Sequence, residues 1–116
     1  MPILQKEFEL TDGQKIVVRQ ASGLEKLKIE AIQAKAFRKC RGFGANPAEW
    51  TPEQGEEFSM LLEEMGGGLE SQMREWIPPC ILTEGIDANH LTSTELRELL
   101  GFVRGDDEDG AVPLDN

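Results

Sequence analysis

The stretch 52–77 constrains the fold most, because its pattern is that of a long amphipathic helix. Thr51 precedes it as a good N-cap, and Gln54 completes a T-x-x-Q capping box. Apolar residues then recur at three- and four-residue steps, which places them on one stripe of a helix. The stripe comprises Phe58, Leu61, Leu62, Met65, Leu69, Met73 and Trp76. We expect Pro78-Pro79 to end this element.

Three consecutive glycines, Gly66, Gly67 and Gly68, interrupt the stripe. Each disfavours a helix by about 1 kcal/mol relative to alanine. The apolar phase nevertheless continues across them without a slip. We therefore predict two collinear helical pieces joined by a soft joint, in preference to one unbroken helix, and the three glycines form a candidate hinge. If Gly67 and Gly68 have helical angles, alanine at these positions should stabilise the free protein by up to ~1 kcal/mol each.

The N-terminal residues 3–20 predict a β-hairpin. Apolar and charged residues alternate in two runs, and Asp12-Gly13 lies between them. Asp-Gly is a strong hairpin signal, because glycine accepts the positive φ that tight turns require. A lone hairpin is marginally stable in water, so its apolar face should rest on a helix.

A second helix is predicted over about 23–41, where Ser22 and Glu25 form a capping box. This helix has two neighbouring apolar sides. One side consists of Leu24, Leu27, Ala31 and Ala34, and the other of Ile29, Ile32 and Ala36. So wide a surface suggests a helix that packs against two elements at once.

The last helix is predicted over 93–104, opened by a third capping box from Thr92 and Glu95 and ended by Gly105. Residues 106–116 are acidic and contain few large apolar groups, so we expect a flexible tail. The predicted fold is α+β and mostly α. It is a single domain over 1–105, with an N-terminal β-hairpin packed on a body of about three helices.

The net charge of −10 argues against nucleic acid and anionic membranes as partners. No apolar run approaches the ~20 residues needed to span a bilayer. Residues 1–41 hold nine basic and five acidic residues, a net charge of +4, whereas residues 42–116 hold three and seventeen, a net charge of −14. Either the two halves attract each other, within one fold or by self-association, or the acidic half binds a basic partner.

The sequence offers no catalytic, cofactor-binding or metal-binding site. His90 is the only histidine and lacks a partner at a spacing typical of a triad or metal site. Cys40 and Cys80 form no CxxC pair and are expected to be free, semi-buried thiols. We therefore do not expect an enzyme. The N-terminus lacks the regions of a signal peptide, so we expect the chain to remain in the cytosol.

Two stretches carry a resemblance to a known family: the opening "ELTDGQKIVVRQASGLEKL" and the closing "LTSTELRELLGFVRGDDEDGAVPLDN". The chain resembles the small tail assembly chaperones of long-tailed bacteriophages. These often begin with an acidic-hydrophobic strand, an Asp/Ser-Gly turn and a V-V-R-x-x-(S/T)-G strand that leads into a capped helix. The matching residues are Phe8 to Leu10, Asp12-Gly13, Val17-Val18-Arg19 and Ser22-Gly23. The resemblance covers the whole chain loosely and the first thirty or so residues best.

The resemblance implies a non-enzymatic protein that binds the phage tape measure protein and helps the tail tube subunits polymerise. It also implies a location in the host bacterial cytoplasm and absence from the mature virion. The apolar stripe from Phe58 to Trp76 is then a candidate client-binding surface, unless it is simply the core of the domain. The alternatives are a structural virion protein of the head-completion or tail-terminator type, and an acidic host-directed binding protein.

Overall fold

The computed structural model describes residues 3–114 and confirms an α+β fold that is mostly helical. Its strands and α-helices are β1 (Leu4–Glu9), β2 (Lys15–Arg19), α1 (Gly23–Lys39), α2 (Pro52–Glu64), α3 (Leu69–Cys80), α4 (Ser93–Arg104) and β3 (Val112–Pro113). The predicted helix over 52–77 is present as two separate helices, α2 and α3.

The three predicted capping boxes all form. In each, the N-cap hydroxyl accepts a hydrogen bond from the N3 backbone N–H, and the N3 side chain accepts one from the N-cap N–H: Ser22 with Glu25, Thr51 with Gln54, and Thr92 with Glu95. Gly105 ends α4 in the left-handed conformation, as predicted. Pro78 and Pro79, by contrast, do not end α3, which continues to Cys80. Their fixed φ is compatible with a helix, and both lie in its last turn.

The strands form one antiparallel sheet in the order β2-β1-β3. The predicted hairpin is confirmed, with Glu9 opposite Lys15 at the end of its ladder. In the connecting loop Gly13 has a φ of +88°, and the Asp12 carboxylate accepts a hydrogen bond from the Gln14 N–H at 2.9 Å. The glycine therefore supplies the positive φ that the Asp-Gly signal predicts.

The third strand corrects the prediction of a flexible tail over 106–116. Val112–Pro113 pairs with β1, and the Leu114 N–H donates to the Ile3 carbonyl at 2.8 Å. The Gln20 amide also donates to the Glu108 carboxylate at 2.7 Å. The prediction rested on the scarcity of large apolar side chains, whereas strand pairing uses backbone groups that every sequence has. Residues 115–116 of the predicted tail lie outside the described residues.

The chain divides into two compact units. The first, here called the hairpin unit, contains the described residues 3–25 and 73–114. The second, here called the helical unit, is Lys26–Gln72. Helices α1 and α3 each begin in one unit and end in the other.

The core of the hairpin unit lies between the sheet and α4. Ile16 and Val18 of β2 are fully buried, and the ring of Phe8 meets that of Phe102 edge-on at 5.6 Å. Helix α4 buries Leu99, Leu100, Phe102 and Val103, while Leu96 is half-buried. The period-two pattern of the hairpin thus gave the correct inward face.

An ion pair ties three elements of the hairpin unit together. The Arg19 guanidinium contacts both oxygens of Glu25, at 2.8 and 2.9 Å, and also donates to the Pro79 carbonyl at 3.1 Å. The hydrogen bond from Arg19 holds the pKa of the Glu25 carboxyl at about 2, with a further contribution from the Ser22 cap. The Trp76 indole donates to the Glu25 carbonyl at 3.1 Å. Glu25 therefore joins β2, the start of α1 and the end of α3.

The helical unit contains an aromatic cluster, formed by Phe37, Phe43, Trp50 and Phe58, with ring centroids 5.4–6.5 Å apart. The Trp50 indole also donates to the Gly44 carbonyl at 2.9 Å. Phe43 and Trp50 thereby anchor the connection between α1 and α2.

Candidate functional site

The first half of the predicted client-binding stripe is largely internal to the helical unit. Phe58, Leu61, Leu62 and Met65 are all half-buried, and Phe58 belongs to the aromatic cluster. Only Leu69, with 46% of its surface accessible, is exposed. Most of this half therefore packs inside the unit.

The second half of the stripe lies in the hairpin unit. Met73 is half-buried, while Trp76 is only 4% exposed and is held by its hydrogen bond to Glu25. Trp76 is therefore a core residue, and the stripe is not one continuous exposed surface.

The candidate hinge at Gly66–Gly68 is a specific turn and not a helical joint. Helix α2 ends at Glu64, and Gly66 has a φ of +83°. The Gly66 N–H donates to Glu63 and the Gly67 N–H donates to the Leu62 carbonyl at 2.9 Å, which is the Schellman arrangement.

The expectation that alanine would stabilise the protein at Gly67 and Gly68 depended on a helical setting, which this turn does not provide. A Cβ on Gly67 would lie 2.8 Å from Ile32 Cγ2 and 3.0 Å from Leu62 Cδ1, and one on Gly68 would lie 2.8 Å from Glu63 Cγ. Neither glycine lies within a helix. The run of glycines thus allows close packing after a turn.

The most exposed apolar surface among the described residues lies on a side of α1 that the sequence pattern predicts to be packed. Leu24 and Leu27 are 85% and 60% exposed, and Ala31 and Ala34 are exposed as well. The neighbouring side of the helix does pack, since Ile29 is 1% exposed. The prediction that both apolar sides of α1 pack against neighbouring elements is therefore right for the side that holds Ile29 and wrong for the side that holds Leu24 and Leu27.

We call Leu24, Leu27, Ala31 and Ala34 the α1 face. Their alternating spacing of three and four residues was available in the sequence, since it is the spacing of a seam that receives another helix. A second signal of an open face was the amount of apolar surface on α1, which exceeds what the rest of a small domain can cover. Met60 of α2, 58% exposed, is a further apolar side chain open to solvent.

A shallow cleft of about 410 Å³ in the hairpin unit lies between the hairpin loop and the start of α4. Its main polar group is Glu95, whose carboxylate accepts hydrogen bonds from the Thr11 N–H at 2.8 Å, the Thr11 hydroxyl at 3.0 Å and the Thr92 N–H at 2.8 Å. These backbone donors at Thr92 and Thr11 lower the pKa of Glu95 to about 2. The carboxylate is thus occupied in fastening the loop to the helix.

The histidine and the two cysteines are the remaining candidates for catalysis or metal binding. The His90 side chain is 84% exposed and lies 3.8 Å from Asp87, and Cys40 and Cys80 are buried and are not joined in a disulfide. Within residues 3–114, no group of three histidine, cysteine, aspartate or glutamate side chains is placed to hold a metal ion. None of the helices in this part of the chain combines the length and apolar character required for a bilayer crossing.

Comparison of the chain with protein-family models, with curated proteins and with solved structures finds no match. Any function proposed for the chain therefore depends on the surfaces just described and on the resemblance in the first thirty or so residues.

Proposed function

We propose that this chain is a non-enzymatic tail assembly chaperone of the kind found in long-tailed phages. In this role it binds helical segments of the tape measure protein in the host cytoplasm and helps tail tube subunits polymerise around that protein. The observation that carries the proposal is the apolar surface left exposed on helices, above all on the α1 face. The hairpin and capped helix that carry the family resemblance are consistent with it.

Exposed apolar side chains at helical spacing are the feature that a helix-binding protein requires. Scattered exposed leucines are common on protein surfaces, but an aligned row is the arrangement that an amphipathic helix covers. A client rich in long helices exposes such stripes until it is assembled. A protein that offers a matching apolar row would shield these stripes from aggregation.

Co-expression with the tape measure protein encoded by the same phage tests the proposal. We expect the chain to keep that protein soluble and to co-elute with it in size-exclusion chromatography. A tape measure protein that precipitates equally with and without the chain would refute a chaperone role.

Mass spectrometry of purified phage particles separates this proposal from a structural virion protein. The chaperone should be abundant in infected-cell lysate and absent from finished particles. Its recovery from particles in amounts comparable to known tail proteins would instead support the head-completion or tail-terminator alternative.

A further inference from the structure

We infer that the α1 face is the client-binding surface and that it receives an amphipathic helix whose apolar stripe is bordered by acidic residues. The inference rests on the proposed function and specifies the surface and the chemistry of the partner. It moves the binding surface from the predicted stripe on α2 and α3, most of which is half-buried or buried, to a helix face that is open along its length.

The packing of α1 holds this face in an outward position. Ile29 and Ala36, on another side of the helix, are 1% and 0% exposed. Because that side is fixed, the α1 face presents an ordered surface before a partner arrives, which lowers the entropy lost on binding. Leu24 and Leu27 supply two large anchors, and the alanines at 31 and 34 allow a partner backbone to approach closely.

The charges around the face select the partner. Lys28, Lys35 and Lys39 follow Leu24 at intervals of 4, 11 and 15 residues, which places them along one edge of the face. Arg38 continues the row itself at its C-terminal end, and all four side chains are exposed. Glu30 is the acidic residue on the opposite edge. A helix with carboxylates beside its apolar stripe complements this arrangement, whereas a helix bordered by lysines would meet like charges.

A second copy of this chain fits the face less well. An antiparallel apposition of two α1 helices would bring their lysine edges together, and a parallel one would bring their Arg38 residues together. In addition, two leucines and two alanines offer far less area than the ~800 Å² per partner that a stable dimer buries. Both arguments favour a small contact with an acidic-edged helix, of the kind that an assembly chaperone must later release.

Two fluorescein-labelled synthetic peptides test the inference on the full chain. Both carry the same leucine heptads, and they differ only in having glutamate or lysine at the positions bordering the apolar stripe. Fluorescence anisotropy should show that the glutamate peptide binds at least tenfold more tightly. The affinity should weaken with added salt, because the selecting charges are exposed.

Variants of the chain locate the contact. Leu24→Gln with Leu27→Gln should weaken binding of the glutamate peptide at least tenfold, and Lys35→Glu with Lys39→Glu should reverse the preference between the peptides. Met60→Gln and Leu69→Gln are matched controls, exposed apolar positions outside the α1 face, and should leave the affinity unchanged. Because all these side chains are exposed, the melting temperatures should remain close to that of the unaltered chain, which circular dichroism checks.

Several results would overturn the inference. These are equal binding of the two peptides, no binding of either, binding that survives Leu24→Gln with Leu27→Gln, and loss of binding in the control variants. Sedimentation showing a dimer that these leucine substitutions dissociate would also overturn it, by assigning the face to self-association. Co-elution with the tape measure protein is scored separately. If it persists in the leucine variant, the inference fails but the chaperone function stands, and if the unaltered chain never co-elutes, the proposed function itself fails.

Discussion

Replacing Gly67 with alanine should destabilise the protein, although the helical pattern around it favours the opposite expectation. Gly67 follows the turn that ends α2, and its N–H donates to the Leu62 carbonyl at 2.9 Å. Its own carbonyl accepts a hydrogen bond from the Gln33 amide at 3.3 Å. The added methyl group would lie 2.8 Å from Ile32 Cγ2 and 3.0 Å from Leu62 Cδ1. These contacts are closer than carbon atoms tolerate.

The size of the expected loss of stability follows from how this steric overlap can be relieved. Gly67 is outside both helices, so alanine gains nothing from helix propensity. Ile32 is β-branched and has few rotamers in a helix, so it cannot simply turn away. The backbone must therefore move, which strains the hydrogen bonds on both sides of the glycine. Inserting a methyl group into a site of this kind typically costs about 1–3 kcal/mol, and we expect a loss in that range.

Equilibrium urea unfolding, followed by circular dichroism, measures the effect. The matched control is Gly55→Ala within α2, where an added Cβ meets no atom within 4 Å. That change should stabilise the protein by about 0.5–1 kcal/mol. The dependence of the unfolding free energy on urea should be the same in all three proteins, so that midpoints can be compared directly. If Gly67→Ala is as stable as Gly55→Ala, the packed turn is refuted and the soft helical joint is restored.

Three further predictions concern the hairpin unit. Removing residues 106–116 should lower the unfolding free energy by about 1–3 kcal/mol, because it deletes β3 and the Glu108 hydrogen bond; an unchanged urea midpoint would mean that the third strand contributes nothing. Arg19→Met should lower the unfolding free energy by about 1–3 kcal/mol in the same assay. Arg19→Lys should recover only part of this loss, since lysine cannot bind both Glu25 oxygens. Full recovery by lysine would contradict a role for the paired contact. Glu25 and Glu95 have folded-state pKa values of about 2, below the ~4.3 of an unfolded glutamate, so their contribution is complete above that value and is lost as the pH falls toward 2. Stability should therefore fall between about pH 5 and 2, and by less in Glu95→Gln. An equal fall in that variant would show that Glu95 is not part of the effect.

The sequence by itself determined the features that depend on a few adjacent residues. Each capping box is closed by side chains three residues apart, so the starts of α1, α2 and α4 could be predicted without knowledge of the fold. The Asp12-Gly13 loop is likewise local, because glycine allows its positive φ whatever surrounds it. The alternation of Ile16 and Val18 gave the inward face of the hairpin, since a strand has only two sides. The fold class followed from these elements.

The tertiary structure decided which surfaces are covered. The α1 face and the side of α1 that holds Ile29 are both apolar, and periodicity cannot tell which of two apolar sides has a neighbour. The position of β3 was equally out of reach, because it depends on backbone pairing with β1, more than a hundred residues earlier in the chain. At Gly67 the pattern suggested flexibility, whereas the reason for glycine is the side chain of Ile32, which lies against it from α1. Local sequence patterns determine the helices and strands, whereas burial depends on contacts between residues that are distant in the sequence. Among the described residues, no such contact covers the leucines at 24 and 27, which are open to solvent.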